Sequence, residues 1–255
     1  GDFPVRAGRA TCSVMITQFL FSLVFSALQA SADDPALAEA GPASDDPVVV
    51  ELFTSQGCPM CPDANTFLGA LGEREDVIAI AYGVGIWDGL GWRDTYAAPA
   101  FNARQEAYVA AGEARRVYTP HFVVNGQPGM LRYKRERIED RVQAASSLPA
   151  DAALSRGDGA VTARVEGPAQ AEPAEVWLVA FEPGAADHEI TGGPNAGKAV
   201  THHNMAVDLT RLGEWRGGDA QFEVPAPEAG LALALLVQAG PGGEILAADA
   251  LGAQP

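Results

Sequence analysis

The run Val48-Val49-Val50-Glu51-Leu52-Phe53 is apolar but for one acid, β-branched at its start and short, the pattern of a buried strand. After it the period changes to that of a helix, with Ala64, Phe67, Leu68 and Leu71 on one face, Pro62 suited to the first turn and Gly72 to the stop. Val77 to Tyr82 is a second buried strand, and strand, helix, strand in this order predicts a parallel pair with a crossover helix. Between Gly83 and Trp92 four glycines interleave with Trp87, Asp88 and Trp92, which reads as a loop whose tryptophans cap the core, with direct substrate contact as the alternative. A helix is expected from Pro99 to Ala111 through Phe101, Gln105 and Tyr108. Phe122 to Val124 is then a strand, with Pro120 at its start and Asn125-Gly126 as a hairpin turn. A short strand around Met130 to Tyr133 and a closing helix from Arg135 to Ala145, with Ile138, Val142 and Ala145 inward, complete this part.

Beyond Leu148-Pro149 the pattern shifts. Short β-like runs at Val161 to Val165, Val176 to Phe181, Phe222 to Val224, Leu231 to Gln238 and Ile245 to Ala248 are separated by Gly and Pro clusters, as in a small antiparallel sandwich or open barrel. The expectation is two domains: an α/β domain over residues 48–149 and a smaller, sandwich-like all-β domain over residues 150–255.

The N-terminal pattern belongs to neither. Arg6 and Arg9 precede an apolar stretch from Met15 to Leu28, and Ala30-Ser31-Ala32 supplies small residues for cleavage, so residues 1–32 read as a signal peptide. The stretch carries Thr17, Gln18, Ser22 and Ser26 and is shorter than the ~20 apolar residues of a spanning helix. Residues 33–47, rich in Ala, Asp, Pro and Ser, read as a flexible leader. A periplasmic or secreted bacterial protein, with no stable membrane span after cleavage, is the reading this supports.

Charge narrows the partners. With 17 basic and 33 acidic side chains the formal net charge is −16, which disfavours phosphate and nucleic-acid binding. Of the three cysteines, Cys12 leaves with the signal, so Cys58 and Cys61 remain in one motif, Cys58-Pro59-Met60-Cys61. Two cysteines separated by two residues at a strand-to-helix junction read first as a redox-active dithiol. One thiolate can attack a foreign disulfide while the other resolves the mixed disulfide. Unpaired N–H groups and the dipole at a helix start lower a thiol's pKa, which marks Cys58 as the nucleophile. As a structural staple so short a loop adds only about 2 kcal/mol.

The set of strand, CPMC, helix, strand, insertion, Thr119-Pro120, hairpin and helix resembles the thioredoxin superfamily. That resemblance implies a cis Pro120 opposite the dithiol, with Thr119 before it offering backbone groups to a substrate strand. Within the superfamily the chain is similar to the family called domain of unknown function 1223. The resemblance runs through Val49-Glu51-Leu52-Phe53-Thr54-Ser55-Gln56-Gly57-Cys58, Trp87-Asp88-Gly89-Leu90-Gly91-Trp92, Tyr118-Thr119-Pro120 and Val123-Val124-Asn125-Gly126. It implies exported bacterial proteins with a thioredoxin-like domain and a β-rich C-terminal part. Pro59 and Met60 depart from the small residues associated with that family between the cysteines; Cys-Pro-x-Cys is shared with glutaredoxins and disulfide-bond oxidoreductases. The resemblance also gives Glu51 a role, since thioredoxin-like proteins often bury an acid before the dithiol to handle the resolving cysteine's proton. An unpaired buried carboxylate there has a raised pKa; the alternative is a solvated glutamate.

The expected function is therefore thiol–disulfide exchange with an envelope or secreted thiol or disulfide protein, using Cys58, Cys61, Thr119, Pro120 and Glu51, with no cofactor beyond the Cys58–Cys61 disulfide. The chief rival is copper(I) handling, with Cys58, Cys61 and His121 as ligands and Met60 as a soft donor. A third class is a non-catalytic binding module. His202-His203 is not a shared ligand pair, because adjacent strand residues face opposite sides.

Overall fold

The protein is described by a computed structural model over residues 46–254, apart from 113, 128–132 and 158. The expected signal peptide, nearly all of the leader and most of the strand expected around residues 130–133 lie outside the described residues. Those described belong to one compact unit, Pro42–Pro255.

The buried runs form strands β1 (Val48–Thr54) and β2 (Val77–Gly83), paired in parallel and joined by helix α1 (Cys61–Gly72). A 3-10 turn, η1 (Gly85–Leu90), and helix α2 (Pro99–Ala111) lead to β3 (His121–Val124), antiparallel to β1. Asn125 and Gly126 both have positive φ, as the predicted tight turn requires. Helix α3 (Arg135–Gln143) follows, and then only strands and one short turn: β4 (Asp151–Arg156), β5 (Ala160–Glu166), β6 (Ala174–Ile190), η2 (Gly193–Asn195), β7 (Lys198–Trp215), β8 (Ala220–Pro225), β9 (Ala232–Gln238) and β10 (Ile245–Leu251).

These strands build a seven-stranded mixed sheet in the order β10-β9-β6-β7-β2-β1-β3 and a three-stranded sheet β4-β5-β8. Here the expected two-domain division at residue 149 gives way. One core joins Val49, Phe53, Tyr82, Phe101 and Tyr108 to Val179, Phe181, Ala234, Leu236 and Ile245, so strands from both sides of the boundary share one hydrophobic face. The second core packs α1 and α3 on the other face of β1 and β2 through Leu52, Phe67, Leu68 and Ile138. A third lies between the small sheet and β6, β9 and β10, through Val161, Val165, Leu178, Leu235 and Val237. Alternate residues of β9 serve two of these cores, as the strand period dictates. The small sheet thus packs on a continuation of the main sheet.

Candidate functional site

β1 ends at Thr54, and the chain turns through Ser55, Gln56 and Gly57 into the CPMC motif. The Cys58 N–H donates to Ser55 O at 3.0 Å and the Cys61 N–H to Cys58 O at 3.3 Å, a turn that delivers both thiols to the start of α1. Cys58 and Cys61 are free thiols and both are buried. The two sulfurs are not joined in this structure.

The two thiols are unlike. Cys58 is lowered from 9.0 to about 7, chiefly by the hydrogen bond from Cys61, then by the Thr119 hydroxyl and the N–H groups of Met60 and Cys61, against the opposing effect of burial. Cys61 is pushed up by burial, by its hydrogen bond to Cys58 and by the neighbouring charge; Thr54 and the Ser55 backbone only partly offset this. Such a pair titrates as a unit, losing its first proton from the Cys58 side. Thr119 is held in turn: Trp87 Nε1–H donates to Thr119 Oγ1 at 2.8 Å, which occupies a lone pair and leaves the hydroxyl hydrogen for the sulfur. The Thr119–Pro120 bond is cis.

Trp87 and Trp92 were expected as core caps, and the structure corrects this. Neither belongs to a core cluster; their indole N–H groups tether η1 to the site, Trp87 to Thr119 and Trp92 to Gln56 Oε1 at 2.9 Å. Gln56 is a hub. Its N–H donates to Asp94 Oδ2 at 2.7 Å, its side-chain amide to Thr95 Oγ1 at 2.8 Å, and its carbonyl accepts from Asn195 Nδ2 at 2.9 Å. The same Asn195 nitrogen donates to Cys58 O at 2.9 Å. Asn195 escaped the sequence reading because it is 137 residues from Cys58 in the chain and carries no motif.

Glu51 is fully buried, yet not as an unpaired acid serving the thiols. Arg104 Nε donates to its Oε1 at 2.6 Å and the Tyr108 hydroxyl to its Oε2 at 2.5 Å, with Gln238 bridging Arg104 and Tyr108. The strand period explains the difference: Val49, Glu51 and Phe53 face α2, whereas Thr54, which hydrogen-bonds Asn65 of α1 and Cys61, points to the other side. His121 follows the same logic. It sits opposite Phe53 in the β1–β3 pairing, its ring packs on Tyr118 and Phe53, and burial lowers it to about 4. Among the described residues no group of three His, Cys, Asp or Glu is placed to hold a metal ion, so His121 is not grouped with Cys58 and Cys61 as a third ligand. His202 and His203 do face opposite ways, the first toward Tyr96 and His188, the second against Gly69 of α1.

Fold and site together define a mixed α/β, sheet-rich protein carrying a buried CPMC dithiol at the start of its first helix. The chain belongs to the family described as Protein of unknown function (DUF1223), which matches residues 49–238. Among solved structures it is similar to the crystal structure of protein AGR_C_4864 from Agrobacterium tumefaciens, with 26% identity, TM-score 0.67, and coverage of 82% of this chain and 96% of that one. A β-glucosidase from Kluyveromyces marxianus overlaps at TM-score 0.22 and 12% identity over 47% of this chain and 17% of that one, too slight a likeness to bear on fold or activity. No curated protein matches the chain.

Proposed function

We propose that this protein is a thioredoxin-like thiol–disulfide exchange protein acting on a partner thiol or disulfide in the periplasm or outside the cell. The observation that carries the reading is the opposed displacement of two adjacent thiols: Cys58 lowered to about 7 by converging donors, Cys61 raised beside it. A nucleophile ionised near neutral pH next to a resolving thiol that keeps its proton is the division of labour exchange needs. The β1–CPMC–α1–β2 order, with Thr119-Pro120 leading into β3 alongside β1, supports the same reading.

In the first step the Cys58 thiolate attacks one sulfur of a partner disulfide, forming a mixed disulfide and expelling the other sulfur as a thiolate. Cys61 then loses its proton to that leaving thiolate or to solvent and attacks Cys58 Sγ. The Cys58–Cys61 bond forms and the partner's second thiolate departs; the partner is reduced by two electrons and this protein oxidised. Run backwards, the same steps oxidise a dithiol. Met60 is exposed at the rim of the motif while Thr119 is buried beside Cys58, which supports Met60 as the partner's first contact. Cys61→Ser is expected to trap a mixed disulfide with a disulfide-bonded peptide, visible by mass spectrometry and lost in Cys58→Ser. A Cys61→Ser protein that never forms the adduct overturns the reading, as does a wild-type couple with a potential far below about −300 mV, the mark of an inert bridge.

A further inference from the structure

Resting on the exchange reading, the surroundings of Cys58 assign a further role to the far end of the chain. Cys58 is 0% exposed although Met60, two residues on, is 63% exposed, so the motif reaches the surface while its nucleophile is covered. Trp87 lies against the preceding residue, its Cβ 2.8 Å from where a Cβ on Gly57 would stand, and its indole N–H holds Thr119, which bonds the Cys58 sulfur. Against the backbone of the same turn lies η2, at the tip of the β6–β7 hairpin. Its Asn195 is fully buried and uses one amide nitrogen for both Gln56 O and Cys58 O, while its Oδ1 accepts from Lys198 Nζ at 3.1 Å.

The turn closes tightly against η1. A Cβ at Gly192 would stand 2.2 Å from Gly91 O, and one at Gly193 would stand 3.1 Å from Trp92 Cβ. Gly91 and Gly193 also hold φ of 95° and 69°, so this seam is built for glycine. The base of the hairpin is irregular as well. Between Glu182 and Ala185 the β6–β7 register shifts, Gly184 has a φ of 83°, and Asn204 opposite it holds a φ of 49° while its Oδ1 accepts the Gly184 N–H at 2.8 Å. Beyond this point β6 and β7 have no strand partner but each other, since the pairings with β9 and β2 end at Phe181 and Met205, while His203 still packs against Gly69 of α1.

We propose that the Gly192–Asn195 turn is a hinged roof over Cys58, latched by Asn195, and that it decides which disulfides reach the nucleophile. Attack proceeds along the S–S axis, so a disulfide flanked by peptide on both sides needs an open trough above Sγ. The closed roof leaves none. The latch consists of two hydrogen bonds to backbone carbonyls that water satisfies when the turn lifts, and Tyr96, edge-on to His188 and hydrogen-bonded to Glu182, holds the flank of the hairpin while its tip moves. The roof admits small disulfides on slight opening and peptide disulfides only when Asn195 lets go.

The test compares wild-type protein with Asn195→Ala, which removes both donors, and Gly192→Ala, whose methyl group pushes η2 off Gly91. Cys58 reactivity is measured across pH with iodoacetamide and with a disulfide-bonded peptide, taking the high-pH plateau so that changes in ionisation are separated from access. Losing two ordinary hydrogen bonds is worth about tenfold in the closed-to-open ratio, so both variants are expected to raise the plateau about tenfold, more for the peptide than for iodoacetamide. Plateaus equal to wild type in both folded variants overturn the roof; equally fast peptide exchange in all three does so while leaving the exchange reading intact. Faster alkylation with no peptide exchange in any form keeps the roof and removes the exchange reading. Should Asn195→Ala fail to fold by circular dichroism, Lys198→Ala, which strips only the amine from Oδ1, carries the same comparison with a smaller expected rise.

Discussion

At the scale of single residues the reactive sulfur depends on a chain of donors: Trp87 N–H to Thr119 Oγ1, Thr119 O–H to Cys58. A hydrogen bond to an ionised acceptor is worth more than a neutral one, and its loss disfavours the thiolate. Thr119→Val is therefore expected to move the midpoint of Cys58 alkylation upward from about 7, by about one pH unit. Trp87→Phe should shift it in the same direction but less, because the hydroxyl stays and loses only its orienting partner. A pH profile of alkylation checks both, and a Thr119→Val midpoint identical to wild type removes the hydroxyl from the account. The strand-to-helix junction that carries Cys58 and Cys61 was legible from a local motif, and Thr119-Pro120 leads into a strand as the resemblance implied. Trp87 was visible as a loop aromatic, yet its tether could not be read, because hydrogen bonding across 32 residues leaves no local pattern.

Between elements, the buried Glu51–Arg104 pair fastens β1 to α2, and Gln238 extends it to β9. Its side chains are 0% and 5% exposed, so neither charge can turn to water if the other is lost. Glu51→Gln leaves the guanidinium buried without a counter-charge, which costs about 3–5 kcal/mol. The expected outcome is a large fall in the urea midpoint with the Cys58 alkylation midpoint unchanged, whereas a proton-handling role would shift reactivity and spare stability. The helices were legible to within a residue or two because their apolar faces are local: α2 runs Pro99–Ala111 as its period predicts. The long strand β7 was not. Its burial alternates irregularly, it carries Lys198, His202, His203 and Asp208, and the outer half of β6 from Glu182 to Glu189 is largely exposed, so neither shows a period of two.

Across the whole molecule, β7 is what makes one sheet out of two expected domains. It pairs with β6 along most of its length and meets β2 in parallel through the pairing of Ala81 with Met205 and the hydrogen bond from Asn204 Nδ2 to Ala79 O, a junction too brief to mark the sequence. The composition change near residue 149 was real, but it records a change of local turn chemistry rather than a break in the core. Two imidazoles lie buried in this continuous structure: His121 between Phe53 and Tyr118, and His202 beside Tyr96 and His188. Burial lowers both to about 4, helped at His202 by the neighbouring His188 and His203, and opposed at His121 by the Glu51 carboxylate and at His202 by the Val200 carbonyl. Nδ1 of His121 and Nε2 of His202 have no hydrogen-bond partner among the described residues, so a proton taken up there gains nothing. The sign follows from linkage. Between pH 6.5 and 4 the unfolded chain binds protons that the folded one refuses, so stability is complete above the unfolded value and falls as pH drops through this window, by about 3 kcal/mol for each histidine. Urea unfolding at pH 7, 5.5 and 4 should show the decline. His121→Phe, which keeps the ring packing, and His202→Gln should each remove about half of the histidine-linked part, while a pH slope unchanged in the double variant would assign the acid sensitivity to the carboxylates instead.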